Sequence, residues 1–570
     1  MPIVPNNKWK VVNAPVEEKS EMTALNNHIQ KALQLLNKGE NDDTYLNRDI
    51  KHDAKYLNDI DKAWDRLEQA RQNHEKVLVY GDYDVDGMTS TTIMAEGLQF
   101  FGIDTHYIVP DRAKDGYGPS ERLYKAALDN GFTLIVTVDN GISGAPIIDK
   151  YHDLGLDVIV TDHHEPNGDM IPTKAVAKVH PMLSPNYPFN GLCGAGVAYK
   201  FITYKMPETK ETFETLAAMG TIADVMPLID ENRRIVYEGL NLLAVTPRAG
   251  LKALKMTKDV NSNNITTETI GFGLGPMLNS IGRIGNAMNG VQLLMETDEV
   301  EARDLAGRVN NLNNRRKAMV DALTEDALTQ ARQQDKDHQV LLVGGSDRLW
   351  HQGIVGIVAA NVVEKMHKPA LAMSFKEGAD GSNIVHGSAR SVGDYDIFQC
   401  MKSAEEVFDS MGGHAGAAGF GLHQERIPEL QAKLDAYVKD HPLPNSQPET
   451  TVVDRLDLSD FNVDFYNELQ KLAPFGQNNP NPIWGVVLNR IDKVQQLGKT
   501  KNHVKIIGSD NKGNQLTVLG FFKGGSYDEL VAAQANGEPL YVIGTMSLNI
   551  FRDKYSVQML AIDWGNDFSN

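Results

Sequence analysis

Cysteine is nearly absent from this chain: Cys193 and Cys400 are the only two in 570 residues. Two thiols cannot build a disulfide framework or a four-cysteine zinc site. A reducing, cytoplasmic setting is therefore expected, with any metal held mainly by oxygen and nitrogen. Long hydrophobic runs are missing as well. The longest, Ile354 to Val363, contains Asn361 and falls well short of the roughly 20 residues that cross a bilayer. The opening MPIVPNNKWKVVNAPVEEK carries charges and prolines where a secretory leader has an apolar core, so neither export nor a membrane partner is expected. Positive charge is not in excess either: 56 Lys plus Arg stand against 75 Asp plus Glu, a formal charge of −19. That excludes a polybasic, histone-like binder and leaves room for a local basic groove. The chain shows no internal repeat and no low-complexity tract.

What is present is an ordinary globular mix, 41% hydrophobic and 23% charged. At about 100 to 200 residues per domain, the length predicts three to five domains. From about Val77 to Asp230, the apolar runs Val77–Tyr80, Leu134–Val138 and Val158–Thr161 alternate with helical stretches such as Thr89–Phe101 and Ser120–Asn130. Near-continuous apolar strands belong to a parallel sheet buried on both faces, so the fold class is α/β. After a 1–46 N-terminal extension, residues 47–296 form this first lobe. Residues 297–337 hold a single glycine, Gly307, and predict a long exposed helix joining two lobes. A smaller α/β lobe is expected over 338–441 and a Pro-, Ser- and Asn-rich linker over 442–450. Short β-patterned runs with Gly and Asn turns over 451–570 predict an OB-fold-like β-barrel.

The chemistry concentrates after the first strand, in Gly81-Asp82-Tyr83-Asp84-Val85-Asp86-Gly87. On an extended chain, side chains at period two share a face, so three carboxylates would line one side at about 6.6 Å spacing. Such a cluster is expected to hold hard divalent cations. An acidic turn capping the next helix is the competing reading; an EF-hand loop is excluded because its distant Glu is missing. Asp139-Asn140-Gly141 ends the second run and Asp162-His163-His164 the third. Three strands thus deliver acids or imidazoles at their carboxyl ends, the edge where open α/β sheets bind ligands. Adjacent histidines point in different directions, so one is expected to ligate metal and the other to face substrate.

The order DYDVDG, VDNG, TDHH and Ile222-Ala-Asp224-Val-Met-Pro227 resembles the four motifs of the DHH phosphoesterase superfamily. Gly412-Gly-His414-Ala-Gly-Ala-Ala-Gly419 is similar to the signature of the DHH-associated (DHHA1) domain. Gly116-Tyr117-Gly118, Asn279-Ser-Ile-Gly-Arg283, Trp350-His-Gln-Gly-Ile-Val-Gly356 and Pro474-Phe-Gly-Gln-Asn-Asn-Pro480 resemble the single-strand-specific exonuclease branch. The resemblance implies that Asp84, Asp86, Asp139, His163 and Asp224 are metal ligands, with Asp139 the bridge. It implies that His164 contacts the scissile phosphate, with Asp139 and Arg283 also catalytic. Many relatives carry a His four residues before the first metal Asp; Tyr80 stands there in this chain, and Asp82 is the candidate replacement. Tyr117, Asn279, Arg283, Arg390 and His414 are the expected phosphate or nucleic-acid contacts of the two lobes, the glycine run around His414 offering free backbone N–H groups to an anion.

Hydrolysis of a phosphodiester calls for an activated water and for charge stabilisation on the entering and leaving oxygens, both supplied by two cations about 3.5–4 Å apart. Carboxylates with one or two imidazoles suit Mn²⁺ or Mg²⁺, with zinc a further option. Residues 490–523 carry seven basic side chains against two acids, so Lys499, Lys501, Lys505, Phe521 and Phe522 are expected to bind single strands through charge and stacking. The resulting reading is a two-metal exonuclease hydrolysing single-stranded DNA to 5′-mononucleotides. The resemblance adds 5′ to 3′ polarity, recombination and DNA repair, a monomer, and single-strand-binding protein and a helicase as partners. Two alternatives stay open: an oligonucleotidase or phosphatase acting on short substrates, and a catalytically inactive nucleic-acid-binding scaffold.

Overall fold

Strands β1 (Lys76–Tyr80), β2 (Asp104–Ile108), β3 (Leu134–Val138), β4 (Asp157–Thr161) and β5 (Ala177–Val179) form an all-parallel sheet in the computed structural model, ordered β2-β1-β3-β4-β5. The structure describes the chain apart from residues 1–2, 4, 6, 13–24, 37–41, 113, 261, 263, 346–349, 378–382, 445–448, 553 and 569–570. All five residues of β3 are buried, which is why its sequence is apolar without alternation. Helix α1 (Val85–Phe100) follows β1 and is buried nearly all round, between the sheet and helices α2 (Gly194–Lys205) and α3 (Lys210–Ala223). Strand order reverses between β1 and β3, and at such a switch point the loops leaving both strands diverge to open a crevice.

Helix α4 (Gly275–Ile284) leads towards α5 (Glu299–Gln334), whose N-terminus is capped by Asp298 accepting from the Val300 and Glu301 N–H groups. The long helix is where the sequence placed it, but it is not exposed throughout. Ala302, Ala306, Val309, Asn313, Val320, Leu323, Ala327 and Ala331 recur at helical spacing and are buried. They face α4 and the second lobe, so the helix is a shared wall between lobes.

The second lobe contains β6 (Leu341–Gly345), α6 (Val355–Met366), β7 (Ala370–Glu377), β8 (Asn383–Arg390), β9 (Ser410–His414) and β10 (Ala417–His423). Its sheet runs β9-β10-β8-β7-β6, with only β6 and β7 parallel. The glycine-rich run is therefore a β-hairpin. Gly412 pairs with Gly419 and Gly413 with Ala418, so the run is an edge hairpin and not an open loop, and only alternate N–H groups of its outer strand stay outside the ladder.

Residues 51–226 and 235–445 make one unit; residues 1–50, 227–234 and 446–570 make the other. Residues 1–46 are thus no separate extension. Lys8–Val11 pairs in parallel with Glu449–Val452, and Ile29, Ala32 and Leu33 share a core with Trp484, Val486, Leu488 and Trp564. The Arg233 guanidinium stacks 3.8 Å from the Tyr45 ring centroid and donates to the Leu472 carbonyl at 2.9 Å. The expected 442–450 linker lies partly outside the described residues, and Glu449 already opens a strand.

The remaining strands are β11 (Asp454–Arg455), β12 (Trp484–Leu488), β13 (Arg490–Leu497), β14 (His503–Ser509), β15 (Gln515–Gly520), β16 (Leu540–Phe551) and β17 (Lys554–Gly565), ordered β11-β12-β16-β17-β15-β14-β13. The long strands β16 and β17 pair along their length in the middle of this seven-strand order. No helix is long and apolar enough to cross a membrane among the described residues.

Candidate metal centre and nucleic-acid contacts

The acidic loop leaving β1 is not an extended strand with three acids on one face. Asp84 is the N-cap of α1, its side chain accepting the Gly87 N–H at 2.9 Å, and Asp86 already lies in the first helical turn. The helix turns the carboxylates towards two neighbouring points. Asp82, Asp84 and Asp139 bring one ligand oxygen each within 4.8 Å of one another; Asp86, His163 and Asp224 bring two oxygens and a ring nitrogen equally close, and Asp139, His163 and His164 one oxygen and two ring nitrogens. Asp139, Asp162, His163 and His164 leave the ends of β3 and β4, so all of these groups gather at the β1/β3 switch point. Tyr80 points elsewhere: it is buried against Tyr124 and donates to the Gly118 carbonyl at 2.9 Å. Asp82 therefore stands in the cluster where Tyr80 does not.

Local packing fixes the acids. Asp139 has φ +60, a left-handed conformation that Asp tolerates better than most residues. A β-carbon on Gly194 would meet the Asp139 Oδ1 at 2.6 Å, so only glycine lets α2 start this close. The first amides of α2 then point at Asp86, whose two oxygens accept from Gly194 and Ala195 at 2.7 and 2.8 Å. These two bonds satisfy amides of the first turn, which have no partner within the helix.

The His163 Nε2 lies 3.1 Å from Asp139 Oδ1 and 3.6 Å from both Asp86 Oδ2 and Asp224 Oδ2. Burial pushes His163 down to about 4, so its imidazole is neutral at pH 7 and presents a lone pair. Burial, then the neighbouring Asp86, raises Asp224 to about 8; burial and the other acids also raise Asp82 and Asp139. Asp82 Oδ1, Asp139 Oδ1 and His163 Nε2 are buried without a hydrogen-bond partner. Buried polar atoms are nearly always satisfied. Three unsatisfied buried atoms converging among carboxyl groups fit divalent cations with oxygen and nitrogen ligands.

His164 behaves differently. Burial opposes its charge, but the Asp162 carboxylate, bound to Nδ1 at 2.8 Å, and the acids around it raise it to about 9. It is a cation at pH 7, half-exposed, able to meet an anion. Asp162 also accepts the backbone N–H groups of Ile142, His163 and His164, and His180 Nε2 holds the His164 carbonyl at 2.8 Å. Asp162, which the sequence places at the strand end without a role, and His180, which it does not mark, are positioning groups. Tyr117 contacts His164 Nδ1 through its hydroxyl at 3.0 Å. Asn279 Oδ1 accepts the Val85 N–H at 3.1 Å, so it braces the acidic loop.

Arg283 donates to the Gly353 carbonyl at 3.2 Å, tying α4 to the second lobe. Burial, then Arg112, Arg316 and Arg390, pushes Arg283 down to about 10, against the pull of Asp84. Arg390 is lowered by burial and by Arg112, and donates to Ser388 and the Ala389 carbonyl. Arg112, Arg283, Arg316 and Arg390 thus lie near one another beside the acidic cluster; Arg112 and Arg316 were missed because nothing in their local sequence marks them. The sheet register sets His414, Ala417 and Arg390 in one row, with His414 exposed.

In the other unit, the His503 ring packs against Phe521 and Phe522, centroids 5.4 and 4.9 Å apart. Phe522 has φ +57, is 77% exposed, and donates its N–H to His503 Nδ1 at 2.9 Å. The Gly524 N–H bonds the Asn502 carbonyl, so the turn bearing Lys499 and Lys501 lies beside this aromatic group. Lys505 projects from β14. Arg490 and Lys512 are instead paired with Asp492 and Asp457, which leaves less free charge here than the composition suggested.

Comparison with known proteins agrees with this layout. The DHH family N-terminal domain matches residues 76–222, the DHHA1 domain 338–440, and the RecJ OB domain 454–563. The single-stranded-DNA-specific exonuclease RecJ of Bacillus subtilis (strain 168) is 36% identical over 90% of this chain. The chain spans 64% of that relative's length. The RecJ of Dickeya dadantii (strain 3937) is 32% identical over 89% of this chain and 90% of its own. A crystal structure of RecJ in complex with Mn²⁺ from Thermus thermophilus superimposes with TM-score 0.80 at 26% identity, over 98% of this chain and 79% of that one.

Proposed function

The chain belongs to the RecJ family of single-stranded-DNA-specific exonucleases, and from that premise we propose that it hydrolyses single-stranded DNA to 5′-mononucleotides, 5′ to 3′, in recombination and DNA repair. The observation that carries the reading is the convergence of Asp82, Asp84, Asp86, Asp139, His163 and Asp224 at the β1/β3 switch point, where Asp82 Oδ1, Asp139 Oδ1 and His163 Nε2 are buried without a hydrogen-bond partner. Asp82, Asp84 and Asp139 would hold one cation and Asp86, His163 and Asp224 a second, with Asp139 also beside His163. Mn²⁺ or Mg²⁺ so bound supplies an activated water and offsets charge on the entering and leaving oxygens.

The protein groups do the rest. His164, held protonated by Asp162, meets a non-bridging oxygen of the scissile phosphate. Arg283 and Arg390 bind phosphate from opposite lobes, and their crowding makes an anion favourable there. Tyr117 limits the swing of His164. Lys499, Lys501, Lys505, Phe521 and Phe522 hold the strand through charge and stacking. The match to a RecJ OB domain, in addition to the two lobes, favours polymeric strands over dinucleotide-sized substrates. The enzyme acts as a cytoplasmic monomer that depends on a helicase, and on single-strand-binding protein, for opened strands.

Digestion of 5′- and 3′-labelled single and double strands with Mn²⁺, Mg²⁺ or EDTA tests this. Metal-dependent release of mononucleotides from the 5′ end of single strands is expected. Cleavage of duplex ends at the same rate, or activity undiminished by EDTA, would overturn it.

A further inference from the structure

Phe272 is the most exposed large hydrophobic side chain among the described residues, at 85%. A single exposed apolar residue needs no explanation by itself; its setting is what calls for one. Residues Thr269–Leu274 form a π-helical turn, a rare geometry concentrated at functional sites. Ile270 and Leu274 are buried and anchor the turn, while Phe272 between them points away from the core.

The neighbours of Phe272 are Gly271 and Gly273. A β-carbon on Gly273 would meet nothing within 4 Å, and one on Gly271 only the Ile222 Cγ2 at 3.9 Å. Neither chain neighbour adds a side chain beside the exposed ring. The position is equally specific. A β-carbon on Gly271 would lie 3.9 Å from Ile222 and one on Gly275 3.9 Å from Ala223, and Asp224 follows directly in the chain. On its other side the turn runs straight into α4, which carries Asn279 and Arg283. Phe272 is therefore suspended between two helices that each deliver a residue to the candidate metal centre.

We propose that Phe272 is a substrate-positioning residue that stacks on a nucleobase of the bound single strand, beside the phosphodiester held at the carboxylate cluster. This rests on the nuclease reading above. A nucleotide whose phosphate meets the acids must set its base to one side of them, and the Asp224 side offers this ring. Stacking uses the π-face that every base has, so it suits an enzyme that removes each nucleotide in turn whatever its identity. A hydrogen-bonding side chain here would favour some bases over others.

The test compares wild type, Phe272→Ala and Phe272→Trp, with Mn²⁺, on an ordinary oligonucleotide and on one whose terminal nucleotides are abasic. Because the ring is exposed, the variants are expected to keep the wild-type melting temperature. On the ordinary strand, F272A should lower kcat/KM by about 5- to 100-fold, the range of one lost base stack; F272W should stay within about twofold of wild type. On the abasic strand wild type itself should fall, with no further loss in F272A. Equal activity of wild type and F272A on the ordinary strand would overturn the proposal, as would the same loss on both strands. Loss seen only when other proteins are added would assign Phe272 to a protein contact, and the proposal would fall. A wild type inert on both strands sinks the nuclease reading and this proposal with it; an active wild type matched by F272A sinks this proposal alone.

Discussion

His163 Nε2 and Asp139 Oδ1 face each other at 3.1 Å, and neither has a hydrogen-bond partner. Two buried ligand atoms this close, both unsatisfied, are placed to share a cation. Asp139→Ala should therefore abolish metal-dependent hydrolysis, by about 1000-fold or more, because an uncompensated set of ligands cannot hold two cations. Single-strand binding, measured by fluorescence anisotropy, should change by less than about threefold. Activity near the wild-type level in this variant contradicts the site.

The same crowding gives the metal-free protein a pH dependence. Asp224 titrates near 8 when folded against 3.8 as a free side chain. Unfolding therefore releases a proton between those values, and stability falls as pH rises through them. Cations compete for the same carboxylates, so the gain in melting temperature on adding Mn²⁺ should be larger at pH 8 than at pH 5.5. Scanning calorimetry at the two pH values measures it; an equal or smaller gain at pH 8 would count against the ligand set.

Asp162 should control the protonation of His164. Asp162→Asn removes the carboxylate that holds His164 near 9. The alkaline limb of the pH–rate profile should then move to lower pH, with kcat at pH 8 down by about 10- to 100-fold. Bound Mn²⁺ should be unchanged. An unmoved alkaline limb would remove His164 from its role as the cation at the phosphate.

Gly194 tests the approach of α2. Alanine there sets a β-carbon 2.5–2.7 Å from Asp139 atoms, so Gly194→Ala should weaken Mn²⁺ binding by about tenfold or more while far-ultraviolet circular dichroism stays native, a shift of roughly 1.4 kcal/mol. Isothermal titration would show it; wild-type affinity would mean that Asp139 has room to move.

The aromatic patch of the other unit calls for point changes instead of truncation, because residues 1–50 share its core and would be left uncovered by loss of 451–570. Phe521→Ala with Phe522→Ala should weaken binding of a long single strand by about 10-fold or more. Hydrolysis of a dinucleotide should be unaffected. Equal loss on both substrates would argue against a separable binding surface.

Much of the site was legible because parallel strands advertise themselves. Continuous apolar runs ending in Asp139 and in Asp162-His163-His164 place those residues at one sheet edge before any coordinate is known. The geometry of the acidic loop was not legible, since an Asp at position 84 suits an extended chain and a helix N-cap equally, and tertiary packing chose the cap. Gly194, Arg112, Arg316 and His180 escaped notice because their roles arise only where distant segments meet. The hairpin of Gly412–Gly419 was hidden by residues with no period to read. Residues 1–50 looked separate for a similar reason: the strand and core they complete lie at the far end of the sequence.

The account turns on two cations gathered around Asp139. Equilibrium dialysis of the full chain against saturating Mn²⁺ tests this most directly. Two Mn²⁺ per wild-type chain and at most one in Asp139→Ala are predicted; one or none in the wild type, or two in the variant, would contradict it.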